Sequence, residues 1–243
     1  MKRSTQLLTD LRPALLSGQA NTLSDAQVLS ALLAYAKMEQ AEEVAPRLLS
    51  HFGSIGGVLR AEERDLQDKG VTPHASLLLH TLLPIWSRAQ TEAFPDTLPL
   101  STTSRIGAYL TRLFCGARVE AVYLILLRAD FTRIACERVA VGSINSTAFN
   151  FRSIAERALF AGATYAVIAH NHPFGTPLPS REDVVATEQL QKTFETVGIP
   201  LLEHFTVAEG AYCPILYANY TPTSAAGIGF YDEDYPHIIP NLP

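Results

Sequence analysis

Cysteine is scarce: the chain holds three, Cys115, Cys136 and Cys213, widely spaced and without a Cys-x-x-Cys pair. That pattern argues against a disulfide framework or a thiolate metal site, and leaves all three expected as small buried or half-buried residues. Long apolar runs are missing as well. No stretch approaches the roughly 18–20 uninterrupted apolar residues that cross a bilayer, and Met1-Lys2-Arg3 leads into polar residues rather than a signal-peptide core. The expected location is therefore the cytoplasm, with no membrane partner. Nor is there a basic surplus. Lys and Arg number 19 against 24 Asp and Glu, a formal charge of −5, whereas a phosphate reader concentrates positive charge on one face. Internal repeats and low-complexity tracts are also lacking.

What is present is an ordinary globular composition, 47% hydrophobic and 18% charged over 243 residues, enough for one sizeable core or two small ones. The first ninety or so residues read as helices. Apolar positions recur at three- and four-residue spacing in 25–35, 42–52, 62–68 and 75–89, as on the buried face of a helix. Ser24 with Gln27 three residues on reads as a cap, and Gly53 as a helix stop. A Pro-, Thr- and Ser-rich stretch follows, which divides the chain into a helical domain over 1–92, a linker over 93–103 and a second domain over 104–220.

In that second domain 104–113 has helical spacing, and Ala121-Val122-Tyr123-Leu124-Ile125-Leu126-Leu127 is an apolar run of strand length. A strand buried on both faces gives such a run. Further strands are expected at 134–141, 165–169, 201–207 and 212–216, with helices at 152–160 and 184–197. Interleaved helices and strands with hairpin-like neighbours predict an α/β or α+β domain with a mixed sheet. From 221 to 243 the sequence loses periodicity around the acidic, aromatic Tyr231-Asp232-Glu233-Asp234-Tyr235, and a loosely ordered tail is expected there.

The chemistry concentrates in 169–183. His170-Asn171-His172-Pro173 follows the apolar strand directly, and the Gly/Thr/Pro-rich loop after it ends at Ser180, where helical periodicity resumes. Side chains alternate along an extended chain, so the two histidines share one side and form a zinc half-site. Asp183, in the first turn of the next helix, could add an oxygen and leave a fourth position for water. Each part alone has a plainer explanation. Ser-x-x-Asp before a helix is a variant capping box, His-x-His occurs at many turns, and Glu120, at the mouth of the 121–127 strand, could be an ordinary solvated carboxylate. The combination places three ligand types around one point.

Glu120, followed some fifty residues later by His-x-His-Pro, six residues, Ser180 and then Asp183, resembles the JAMM (MPN+) metalloprotease signature. Within that superfamily His170-Asn171-His172-Pro173, Gly175, Pro179-Ser180-Arg181-x-Asp183 and the later Gly198-Ile199-x-Leu201-Leu202-x-His204 are similar to the bacterial RadC family. Residues 48–61 resemble the helical N-terminal domain of RadC proteins. In place of that domain's Gly-x-Gly hairpin, the chain has Lys69-Gly70-Val71-Thr72-Pro73-His74. Three further departures stand out: Phe151-Arg152-Ser153 where Pro-Arg-Glu is usual, Phe174 where a serine is usual, and Glu203 where an aspartate precedes the histidine.

The resemblance implies a cytidine-deaminase-like JAMM α/β domain with a mixed sheet, preceded by a small all-α domain. It implies a zinc-dependent metallopeptidase-like hydrolase acting on a peptide or isopeptide substrate. His170, His172 and Asp183 would bind Zn²⁺, Glu120 would serve as general base and then general acid, and Ser180 would hydrogen-bond the oxyanion. His204 would lie behind the ligands, or be a buried structural histidine. Two other classes remain open from the sequence. One is a DNA-repair-associated nucleic-acid-binding or nuclease factor, against which the acidic balance and the altered hairpin count; residues 1–92 carry nine Lys and Arg against ten Asp and Glu. The other is a catalytically silent interaction module.

Overall fold

The computed structural model describes residues 3–142, 150–208 and 210–216. The 221–243 tail expected from sequence lies outside them. Two compact units divide the chain, Met1–Trp86 and Ser87–Pro243.

The first unit is built from α1 (Arg3–Leu16), α2 (Asp25–Tyr35), α3 (Ala41–Phe52), α4 (Ile55–Arg60), α5 (Glu63–Asp68) and the start of α6 (Pro73–Thr91). Its boundaries follow local chemistry. Ser24 and Gln27 form a reciprocal capping box at the start of α2, and Gly53 ends α3 at φ +80°, a left-handed conformation that costs glycine little. Two elements lack the sequence signals read above: α1 contains Pro13, and α4 carries Gly56-Gly57. Gly57 is required by proximity, because a Cβ there would lie 2.2 Å from the Phe52 carbonyl oxygen. Leu29, Leu33, Val44, Leu48, Val58, Leu66 and Leu79 form this unit's core.

The second unit holds α7 (Thr103–Leu113), β1 (Ala121–Leu127), β2 (Arg133–Val141), α8 (Phe151–Phe160), β3 (Tyr165–Asn171), α9 (Arg181–Thr196), β4 (Leu201–Ala208) and β5 (Ala211–Pro214). The strands form one mixed sheet in the order β2-β1-β3-β4-β5. All neighbours are antiparallel except β3 and β4, which α9 joins as a βαβ unit. The apolar run of β1 is explained by its central place: one face packs against α8 and α9 through Val122, Leu124 and Leu126, the other against α7 through Ile125 and Leu127. Gly107 brings α7 onto β5 so closely that a Cβ would meet the Tyr212 ring at 2.3 Å. The fold is thus mixed α/β, preceded by a helical unit.

One irregularity aims the site. Between β3 and β4 the pairing passes from Ala166↔Leu201 to Val167↔Glu203, so Leu202 is an extra residue on β4. Such a slip reverses which residues face which side. Leu202, Phe205 and Val207 accordingly enter the α7-side core, and His204 falls on the other side, within reach of His170 and Thr187.

Candidate metal centre

The centre lies at the C-terminal end of β3 and the N-terminus of α9, where open α/β sheets commonly place ligands. His170 sits on β3, and His172 prolongs that edge by donating its backbone N–H to the Val207 carbonyl at 2.8 Å. Asp183 enters from the first turn of α9, held by the reciprocal capping box expected from Ser-x-x-Asp. The Ser180 N–H and hydroxyl both donate to Asp183 Oδ2, at 2.7 and 2.6 Å, and the Asp183 N–H donates back to Ser180 Oγ at 3.1 Å. Oδ1 is left facing His170 Nε2 at 3.3 Å.

Hydrogen-bond arithmetic assigns both tautomers. The Thr187 hydroxyl lies 2.6 Å from the Asp183 carbonyl oxygen, which can only accept, so its single proton points there. At its other contact, 2.6 Å from His204 Nδ1, Thr187 therefore accepts, and His204 carries its proton on Nδ1. His204 is fully buried; burial foremost, then the nearby His170, hold its pKa well below the usual imidazole range, so it keeps one proton. Its Nε2 must accept from His170 Nδ1–H at 2.8 Å. Likewise His172 Nδ1–H donates to the Thr176 carbonyl at 2.9 Å. Both Nε2 lone pairs then face one another at 3.1 Å, with the Asp183 carboxylate beside them.

Three electron-pair donors converging on one point call for a cation. Asp183 answers to this: burial pushes its carboxyl up, but the His170 and His172 imidazoles and the Ser180 hydroxyl outweigh it and hold it well below the usual carboxylate range. His172 is pushed up, chiefly by its hydrogen bond with Asp183, against burial and with smaller help from Thr176 and Glu120. A proton is one possible occupant, and a metal ion is the other. A tetrahedral metal with bonds of about 2.0–2.1 Å needs donors about 3.3 Å apart. The separations here are 3.1 Å between the histidines, 3.3 Å from His170 to Asp183 and 3.6 Å from His172 to Asp183. His170, His172 and Asp183 could therefore hold a metal ion, and they are the group of metal-ligating side chains found among the described residues.

Glu120 directly precedes β1. Continuing the alternation of β1, it falls on the same face as Val122, which pairs with His170, and its charge is felt at His172. Its neighbours are held by a residue that sequence reasoning passed over. The Asn171 side chain, between the two histidines, accepts from Ala121 N–H at 2.9 Å and donates to the Val119 carbonyl at 3.1 Å. Thr187, bonded to His204 and to the Asp183 carbonyl, is the other residue around the site without a sequence signal. Glu203, at a position of departure from the RadC pattern, is buried and accepts from the amides of His204, Ile215 and Leu216 at 2.8, 3.1 and 2.6 Å. The three cysteines are half-buried, form no disulfide, and do not belong to this group. Among the described residues no helix is long and apolar enough to cross a membrane.

Comparison with known proteins agrees with the geometry. Residues 100–218 match the sequence model of the family described as RadC-like JAB domain. A UPF0758 protein of Chromobacterium violaceum is 37% identical over 204 residues, covering 82% of this chain and 90% of the relative. One from Neisseria meningitidis serogroup B is 31% identical over 213 residues, 87% of this chain and 95% of the relative, and one from Coprothermobacter proteolyticus is 32% identical over 207 residues, 83% and 88% respectively. These matches span both units, so with a mixed α/β sheet and the His-x-His and Ser-x-x-Asp pairs gathered at one strand end, the chain belongs to the RadC family and carries its JAB domain.

Proposed function

We propose that the protein is a zinc-dependent hydrolase of the JAMM type that cleaves a peptide or isopeptide bond. The observation that carries this reading is the convergence of two Nε2 lone pairs and one carboxylate at donor spacings that suit a tetrahedral ion. His170, His172 and Asp183 would hold zinc, which when bound supplies a Lewis acid that lowers the pKa of a coordinated water toward neutrality. Three protein ligands suit a catalytic rather than a structural zinc, because structural sites fill all four positions with side chains.

Glu120 takes a proton from the attacking water at its carboxylate and returns it to the leaving nitrogen. Ser180 supplies a hydroxyl to the developing oxyanion. In the structure that hydroxyl points at Asp183 Oδ2, so it turns toward substrate while Oδ2 keeps its bond from the Ser180 amide. His204 and Thr187 hold the His170 ring in the tautomer that presents Nε2.

Elemental analysis of the purified protein tests the reading. About one zinc per chain, lost in a His172→Ala/Asp183→Ala variant, supports it, together with turnover in a panel of peptide and isopeptide substrates that Glu120→Gln lowers by at least about a hundredfold. No stoichiometric metal even after zinc is supplied sinks it.

A further inference from the structure

The geometry points to Asn171 as a positioning residue: we infer that its side-chain amide fixes the backbone on both sides of Glu120 and so sets that carboxylate against the metal ligands. The inference rests on the reading of Glu120 as the base and adds to it the device that holds the base in place.

The antiparallel register between β1 and β3 ends at Val122↔His170. Beyond that pair the backbone of 119–121 has no ladder partner on the β3 side. Asn171 supplies one from its side chain. Its Oδ1 accepts from the Ala121 N–H and its Nδ2 donates to the Val119 carbonyl. These two bonds, one residue before and one after Glu120, reproduce the pattern that the N–H and C=O of a single residue in a parallel strand make with the residues flanking its partner. On the β2 side the Glu120 carbonyl accepts from the Gly142 N–H at 2.7 Å. The residue is thus gripped from both edges through its backbone.

Position explains why this grip matters. Asn171 is itself between the two histidine ligands, and alternation sends its side chain to the opposite face from theirs. It is 3% exposed, so its two bonds act without competing water. Any displacement of the His-x-His edge is passed through one rigid amide to the segment bearing Glu120, although 50 residues separate Ala121 from Asn171. A base must stay within hydrogen-bond reach of the proton it takes, so the backbone that carries it has to be held.

The test uses the full-length protein loaded with Co²⁺ in place of zinc, and follows the pH midpoint of the cobalt visible spectrum. A carboxylate close to the metal shifts that midpoint by about one unit or more relative to its neutral isostere, so Glu120→Gln sets the scale. Asn171→Leu, which matches the volume and removes both hydrogen bonds, is expected to reproduce at least half of that shift with unchanged cobalt stoichiometry. The double variant is expected to match Glu120→Gln alone. Where Asn171→Leu does not fold, judged by circular dichroism, Asn171→Ser is read in the same way. A wild-type midpoint in the Asn171 variants, with Glu120→Gln shifted, overturns the role of Asn171 and leaves the hydrolase reading standing. An unshifted Glu120→Gln removes Glu120 from the metal and overturns the inference with it. Failure of the wild-type protein to bind cobalt or zinc overturns both.

Discussion

The Thr187 hydroxyl and the His204 imidazole lie 2.6 Å apart, and the direction of that hydrogen bond fixes the protonation of a third residue, His170. Because Thr187 gives its proton to the Asp183 carbonyl, the chain of bonds runs from His170 through His204 and Thr187 back to the backbone of the candidate ligand Asp183. Partners of this kind are commonly worth 10–100-fold in metal affinity. Thr187→Val keeps the shape and removes the acceptor, so zinc affinity measured by competition with a chromophoric chelator should fall by about that factor. Thr187→Ser should stay near wild type. Equal affinity for Val and wild type would mean that His204 is merely buried beside the site.

Glu203 supports the same strand from the other direction. One oxygen receives three amides, from His204, Ile215 and Leu216, which ties the end of the described chain to the centre of β4. Charge-assisted bonds are stronger than neutral ones, and deleting the acceptor leaves buried N–H groups unsatisfied. Glu203→Ala should lower stability in denaturant unfolding by about 2–4 kcal/mol. Zinc stoichiometry of the folded variant should be unchanged, since the Glu203 oxygen that takes these bonds is committed to backbone amides. Loss of metal without loss of stability would contradict this division of labour.

Much of this was legible in the sequence where the signal is local. The apolar run 121–127 coincides with β1 because both faces of that strand are covered. Ser180 and Asp183 could be read as a cap and also as part of the site, and the structure shows the cap in full. His-x-His was readable because alternation is a property of any extended segment. What stayed hidden depends on distant parts of the chain. Asn171 looks like a spacer until Val119 and Ala121 are brought beside it, and Thr187 is an ordinary helix residue until the register slip at Leu202 turns His204 toward it. Helix α1 was masked by Pro13, a residue that counts against helix in any local reading.

The Tyr109 and Cys136 pair predicts alkaline weakening of the fold. Burial pushes the Tyr109 hydroxyl well above the usual phenol range, with Cys136 adding to the rise. Burial also pushes the Cys136 thiol up, against the opposing hydrogen bond from Tyr109. Both groups thus stay protonated in the folded chain at pH values where the unfolded chain ionises. Their contribution is complete below the unfolded values, about 8.5 for thiol and 10 for phenol, and is lost as pH rises toward the folded ones. Melting temperature should therefore fall from about pH 9 upward. Cys136→Ala should flatten the first part of that fall, and an identical slope in the variant would place the titrating group elsewhere.

Proton and metal compete for His172. In the metal-free protein its pKa is pushed up, first by the hydrogen bond with Asp183, so a proton on His172 is held between donors that also suit an ion. A raised histidine stabilises the metal-free fold fully below its unfolded value, about 6.5, and that contribution disappears as pH rises through the folded value. Asp183, whose pKa is lowered, contributes above about pH 4 and loses that contribution on further acidification. The metal-free protein gains from the pair between these limits. Zinc must expel the proton, so apparent affinity should fall about tenfold per pH unit below the raised His172 value. Calorimetric zinc titrations at about pH 6, below the ionisation range of a zinc-bound water, in two buffers of different ionisation enthalpy measure the protons released from the ligands: close to one is expected. Release of close to none at about pH 6 would show that the His172–Asp183 contact does not hold a proton that governs entry of the metal.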